Sequence, residues 1–175
     1  PIRPIFEPSP ELMAELESIL RSGMVTNDGP RLHDFERSVA SWLGIEGCVG
    51  VSSGSAALVC GMTALAPRPG TAFLPSFTYI STVNAVEHAG LNPVFVDIDP
   101  RTWTMDPEHL AACMERHNDV SLILPVTCYG VPPDLDTICE LAQRYDASVL
   151  LDNAHGFGVV DQGRKVHPGP DVQAW

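Results

Sequence analysis

Lysine is almost missing from this sequence. The chain has 175 residues, of which ten are basic, and nine of those ten are arginine, so Lys165 is the only lysine. Acidic residues number 22 and the net charge is −12, a balance that disfavours nucleic acid or an anionic membrane surface as the main partner. Phosphate ligands are not excluded, because free N–H groups at the start of a helix bind anions whatever the net charge.

Other absences indicate the cellular compartment in which the protein acts. The five cysteines are odd in number and scattered, without a C-x-x-C motif, which is typical of reduced thiols and not of a disulfide framework or a metal centre. No run approaches 18 uncharged apolar residues, and the N-terminus lacks a signal-peptide pattern. We therefore expect a cytoplasmic protein with no membrane or nucleic-acid partner.

Short apolar runs alternate with helix-like segments along most of the chain. At 45% hydrophobic residues, the chain is able to form one domain with a sizeable core. Two helices are predicted before residue 45, followed by strands at 48–51, 71–74, 93–99, 120–126 and 148–151. The helices predicted between these strands span 57–65, 82–88, 107–116 and 135–145. Such alternation predicts an α/β fold with a doubly wound, mainly parallel sheet.

The most informative stretch is residues 148–158. Val149, Leu150 and Leu151 predict a buried strand, after which come Asp152 and His155. Because ligands in open α/β sheets bind outside the carboxyl ends of the strands, both polar residues are candidates for a functional site. The alternatives are that Asp152 caps a turn and that His155 is an ordinary loop histidine. A shared metal ion lacks a convincing third ligand.

A second candidate site is the small-residue turn at 52–58. Gly54, Ser55 and Ala56 lie between a predicted strand and a predicted helix, where free N–H groups and the helix dipole favour an anion. The turn has neither the G-x-G-x-x-G nor the Walker pattern, so it does not support a dinucleotide or nucleoside triphosphate site. The alternative is a simple helix cap.

Several motifs occur in order over nearly the whole chain: 25–30 with 35–36, 52–58, 75–79 through 84–85, 90 with 93–99, 125–126 with 129–130, and 152–155. Together they resemble the sugar aminotransferases of the DegT/DnrJ/EryC1/StrS family. That family uses pyridoxal 5′-phosphate (PLP) and has the fold type I large domain of the aspartate aminotransferase superfamily. The resemblance implies transfer of an amino group from an amino acid, glutamate or glutamine, to a keto sugar carried on a nucleotide.

The resemblance also implies roles for the candidate cofactor residues. Gly54, Ser55 and Ala56 match the turn that binds the phosphate of PLP, and Tyr79 matches an aromatic residue that stacks on its ring. Asp152 matches the acid that pairs with the pyridine nitrogen, which keeps the ring able to accept electrons.

Two further matches concern the rim of the implied site. His155 stands where the family more commonly has glutamine, near the phenolic oxygen of the ring, and histidine can also donate a hydrogen bond there. Thr26 and Asn27 are implied substrate-binding residues, near the seam between the two subunits of a homodimer. No metal ligand is implied.

The implied reaction needs a lysine that forms the Schiff base with the cofactor, and Lys165 is a poor candidate. It lies in a turn at 161–166 that resembles a variable Gly-Arg hairpin of the family, whereas the family's lysine follows the equivalent of residues 171–175. We therefore expect residues 1–175 to be the N-terminal part of the PLP-binding large domain, without the C-terminal small domain and inactive alone. A truncated form, a proteolytic product and a split reading frame would each account for this.

Two other functions stay open at this point. One is a sugar dehydratase of the same family, which uses the amine form of the cofactor and has histidine in place of the lysine. The other is a non-catalytic protein that binds only a phosphate ligand or a partner subunit.

Overall fold

The structure is a computed structural model, and it describes residues 7–65, 68–161, 163–165 and 170–175. The other positions of the predicted domain 1–175, namely 1–6, 66–67, 162 and 166–169, lie outside the described residues. The chain divides into two compact units, Pro1–Gly50 and Val51–Trp175.

The first unit contains the two helices expected before residue 45. Helix α1 spans Pro10–Ser22 and helix α2 spans Pro30–Leu43. The side chain of Ser9 caps the start of α1, and both helices have proline in their first turn, where its missing N–H costs nothing. Gly23 (φ 73°) and Gly44 (φ 75°) end the two helices in the left-handed conformation that glycine adopts without strain.

The strand predicted at 48–51 is wrong, since these residues form no strand. The N–H of Gly50 donates to Oε1 of Glu36 at 2.8 Å instead of to the carbonyl of a neighbouring strand. This hydrogen bond is the main reason why the pKa of the Glu36 carboxyl is lowered. Val49 is 80% exposed, so the apolar run does not mark a buried segment.

The second unit contains a five-stranded sheet in which every neighbouring pair is parallel, in the order β2-β1-β3-β4-β5. Its strands are β1 Thr71–Pro75, β2 Asn92–Val96, β3 Val120–Ile123, β4 Ser148–Asp152 and β5 Val172–Ala174. Its helices are α3 Gly54–Leu65, α4 Ile80–His88, α5 Pro107–Met114 and α6 Leu135–Tyr145. The predicted α/β fold is confirmed, although β5 was not predicted.

Helices cover both faces of this sheet. In β1, Phe73 packs into a core with residues of α5 and α6, whereas Ala72 and Leu74 pack into a second core with residues of α3 and α4. Successive residues of a strand point to opposite faces, so a strand buried on both faces needs a continuous apolar sequence. This arrangement is the predicted doubly wound sheet.

The strand order determines where a ligand site is expected. The chain proceeds outward in one direction through β1 and β2 and then in the other through β3, β4 and β5, so the order reverses between β1 and β3. Ligands of doubly wound proteins bind outside the carboxyl ends of the strands near such a reversal. The segments that follow β1, β3 and β4 carry Tyr79, Tyr129 and His155, respectively.

Close packing of α3 on the sheet gives the first testable prediction. A Cβ atom at Gly61 would lie 2.9 Å from Cδ1 of Leu150 and 3.2 Å from Cγ1 of Val172, and Leu150 is fully buried. We expect Gly61→Val to lower the free energy of unfolding by about 1–3 kcal/mol through overpacking. Ala64→Val, on the exposed side of the same helix, should cost only about 0.5 kcal/mol. Equal losses for the two variants in denaturant unfolding would contradict this packing.

Candidate functional site

Asp152 is the last residue of β4 and is only 5% exposed. Its N–H donates to the carbonyl of Pro125 at 2.9 Å, and its own carbonyl accepts from the N–H of Thr127 at 2.9 Å. The N–H and the carbonyl of Asp152 therefore both bond to the segment that follows β3, which fixes the position of its side chain at the carboxyl edge of the sheet.

The Asp152 side chain is held by a directed row of hydroxyl groups. Its Oδ2 accepts from Oγ1 of Thr82 at 2.8 Å, and Thr82 is fully buried. A hydroxyl has one proton, so Thr82, having donated it to the carboxylate, accepts from Oγ1 of Thr78 at 2.7 Å. Thr78 and Thr82 are four residues apart, with Thr78 just before the cap of α4 and Thr82 in its first turn. Neither threonine was predicted, although that spacing after a buried strand is a usable signal.

His155 lies on the exposed rim of the same strand end and contacts Tyr129, which follows β3. The N–H of Tyr129 donates to Nδ1 of His155 at 3.3 Å. The two rings are also stacked, with centroids 5.5 Å apart and planes inclined by 15°. The structure thus places both predicted catalytic residues at the carboxyl end of β4, where Asp152 is the buried last residue of the strand and His155 follows it on the exposed side.

Aromatic side chains extend outward from His155. Tyr129 contacts Trp103 with centroids 6.3 Å apart and Phe77 at 6.5 Å, and Phe77 and Trp103 meet edge to face at 5.6 Å. All three are more than 40% exposed. Tyr79, the predicted ring-stacking residue, precedes α4 and is 74% exposed, so its ring is accessible to a ligand. Its role stays a prediction.

The predicted phosphate-binding turn forms the first turn of α3. Because α3 ends at Leu65, six positions before β1 begins, its C-terminus lies near the amino ends of the strands and its N-terminus toward the carboxyl edge. The N–H of Ala56 already donates to Oγ of Ser53 at 3.2 Å. The N–H of Ala56 is thus already used by the helix cap. Of the three predicted residues, Gly54 and Ser55 are the two whose N–H groups a phosphate could bind without breaking that bond. A phosphate at Ala56 would have to displace the Ser53 hydroxyl.

The remaining predicted residues lie elsewhere. Thr26 and Asn27 belong to the first unit, in an exposed bend at 26–28 where Asp28 has φ 55°. Lys165 follows a tight turn in the second unit, closed by paired backbone hydrogen bonds between Asp161 and Arg164, and it is half-buried. Gln162 and Val166 of the predicted turn lie outside the described residues.

Two kinds of feature are absent from the part of the chain that the structure describes. Within those residues, no group of three or more histidine, cysteine, aspartate or glutamate side chains is arranged to hold a metal ion. None of the helices that the structure describes is both long and apolar enough to cross a membrane.

A buried acid at the carboxyl end of a parallel strand, in a doubly wound sheet, matches the arrangement that the sequence motifs led us to expect. The model of the DegT/DnrJ/EryC1/StrS aminotransferase family matches residues 8–174. The chain belongs to this family.

Curated relatives are longer than this chain. The UDP-2-acetamido-2-deoxy-3-oxo-D-glucuronate aminotransferase of Pseudomonas aeruginosa is 35% identical over 153 residues, which are 87% of this chain and 42% of that protein. The dTDP-4-amino-4,6-dideoxy-D-glucose transaminase of Shigella dysenteriae is 34% identical over 164 residues, 94% of this chain and 44% of that protein. The chain thus spans less than half the length of these relatives.

Solved structures agree with the fold. A Bacillus subtilis protein, NtdA, solved with the bound cofactor PMP, superimposes with a TM-score of 0.79 at 30% identity, over 92% of this chain and 36% of that one. A Streptococcus pneumoniae protein solved in its PLP form gives a TM-score of 0.81 at 26% identity, over 91% of this chain and 44% of that one.

The threonine row gives a second testable prediction. Thr82→Val keeps the shape of the side chain but removes the donor to a buried carboxylate, which should cost about 1–3 kcal/mol of unfolding free energy. Thr82→Ser retains the hydroxyl and loses one buried methyl group, at about 0.8 kcal/mol. In paired denaturant titrations, a valine variant at least as stable as the serine variant would contradict the expected contribution of the hydrogen bond to Asp152.

Proposed function

We propose that the protein acts in PLP-dependent transfer of an amino group from glutamate or glutamine to a keto sugar carried on a nucleotide. Residues 1–175 would belong to the large, cofactor-binding domain of such an enzyme. The observation that carries this proposal is the buried carboxylate of Asp152 at the carboxyl edge of the sheet, in a chain of this aminotransferase family.

The bonding of Asp152 leaves room for the cofactor. An ionised carboxylate has about four acceptor positions. Thr82 occupies one at 2.8 Å, and the N–H of Ala154 occupies another at 3.3 Å, so the described contacts do not exhaust its capacity. Asp152 is therefore able to accept a further hydrogen bond from a protonated pyridine nitrogen, whose positive charge makes the ring an electron sink in transamination when PLP is bound.

Other parts of the proposed PLP site have complementary chemistry. The first turn of α3 offers the N–H groups of Gly54 and Ser55 together with the positive end of the helix dipole, which suits a phosphate. The exposed ring of Tyr79 offers an apolar face for the cofactor ring. The ring nitrogen of His155 that is not bonded to Tyr129 would form a hydrogen bond with the phenolic oxygen of the cofactor.

The substrates and the assembly are inferred from the family. Sugar nucleotides are named for both curated relatives described above, which supports a keto-sugar acceptor. We propose that Thr26 and Asn27 contact this substrate and that the site is completed in a homodimer.

Substitution of Asp152 tests the proposed function directly. With the complete enzyme, glutamate and a nucleotide-linked keto sugar, Asp152→Asn should lower amino transfer about 10²–10³-fold, because the charge opposite the pyridine nitrogen is lost. PLP absorbance would be measured in parallel to confirm that the cofactor is still bound. Asp136→Asn, a change to an exposed acid on α6, is the matched control and should leave activity unchanged. Full activity of Asp152→Asn would refute the proposed role.

The scarcity of lysine leads to another prediction. We expect the 175-residue chain alone, supplied with PLP, to convert no amino donor to its keto acid, because Lys165, the only lysine, does not match the family's Schiff-base lysine. We also expect Lys165→Ala to leave the PLP absorbance of the chain unchanged. Turnover by the unmodified chain, or an absorbance band that disappears in Lys165→Ala, would identify Lys165 as the reactive amine.

A further inference from the structure

The contact between Tyr129 and His155 determines which nitrogen of the imidazole carries the proton. A backbone N–H can only donate, and the N–H of Tyr129 meets Nδ1 of His155 at 3.3 Å. Nδ1 must therefore be the unprotonated, accepting nitrogen. In a neutral imidazole the proton is then on Nε2, so the ring presents Nε2–H as a donor.

The turn around Tyr129 holds this N–H in place. Cys128 and Val131 exchange backbone hydrogen bonds at 3.0 and 2.8 Å, which close a two-residue turn. Both central residues have positive φ, 48° at Tyr129 and 85° at Gly130, as a type I′ turn requires. A bulky residue in the left-handed region is uncommon and costs about 1–2 kcal/mol. At this strained position the ring of Tyr129 stacks on the ring of His155.

We propose that Tyr129 is a positioning residue that holds His155 as the Nε2–H tautomer, so that this N–H donates to the phenolic oxygen of the cofactor ring. The inference rests on the proposed function for its ligand but not for the tautomer. It gives a physical reason why histidine serves at a position where a glutamine amide would donate. The opposite tautomer would turn a lone pair of Nε2 toward an acceptor oxygen, and two acceptors repel.

Nitrogen-15 NMR of histidine side chains tests the tautomer without any assay of activity. The complete protein would be labelled at histidine and recorded in mildly alkaline buffer. Among the signals, which include those of the six histidines of this chain, those of His155 would be recognised by their loss in His155→Gln. We expect a protonated Nε2 and an unprotonated Nδ1. A protonated Nδ1, or an averaged mixture of both tautomers, would overturn the proposal.

Two variants of Tyr129 separate the ring from the backbone. Tyr129→Phe keeps the stacked ring and the N–H and should leave the His155 signals unchanged. Tyr129→Gly suits the positive φ and keeps the N–H but removes the stack, so the imidazole should leave its place and populate both tautomers. Unaltered signals of the other histidines would show that each variant is folded. If Tyr129→Gly preserves the single tautomer, the ring of Tyr129 has no positioning role.

Addition of PLP distinguishes the failure of this inference from the failure of the proposed function. Saturation would be followed by absorbance while the Nε2 signal of His155 is recorded. A changed Nε2 signal at saturation supports the proposed contact. An unchanged signal with PLP bound overturns the contact and leaves the aminotransferase proposal standing. Absence of any PLP binding refutes the proposed function and with it the contact, whereas the tautomer of His155 is judged on the spectra recorded before PLP is added.

Discussion

The hydrogen bond from Thr82 to Asp152 connects the helix that follows β1 with the end of β4, although β1 and β4 do not pair with each other. Thr82 belongs to the helix that follows β1, Asp152 ends β4, and β3 lies between these strands. A buried carboxylate without donors would be costly, so the start of α4 has to lie within hydrogen-bonding reach of the end of β4. The same requirement places the loop of Phe77 and Tyr79, which leads into α4, beside the carboxyl ends of the strands.

The turn after β4 separates a buried acid from an exposed imidazole within three residues. Asn153 is 6% exposed and accepts from Oγ1 of Thr127 at 2.5 Å, so it continues the buried network. A Cβ atom at Gly156 would lie 1.8 Å from Oδ1 of Asn153, so any other residue there would force the buried Asn153 side chain to move. Ala154 and His155 are thereby left on the outer side of the turn, where they are exposed.

Much of this organisation was predictable from the sequence, because strands buried on both faces have continuous apolar runs and several helices begin at a side-chain cap or end at a glycine. The position of Asp152 followed from the same pattern. The strand prediction at 48–51 was wrong because an apolar run forms a strand only where a neighbouring strand is available to pair with it. Strand β5 escaped because three residues carry too little pattern. Thr82 acts through a hydrogen bond to Asp152, which is distant in sequence, and Ser53 acts through the local geometry of a helix cap. Hydrophobic periodicity indicates neither.

The difference in burial between Asp152 and His155 explains why each is held in a different way. Asp152 is an acceptor in any orientation of its carboxylate, so its surroundings need to supply only donors, which Thr82 and Ala154 do. Imidazole has one donor and one acceptor nitrogen when neutral, and in water it exchanges between them. An exposed histidine therefore acquires a defined polarity only from a neighbour that bonds to one nitrogen. The N–H of Tyr129 is such a neighbour, and its turn belongs to the same segment after β3 that pairs with the backbone of Asp152.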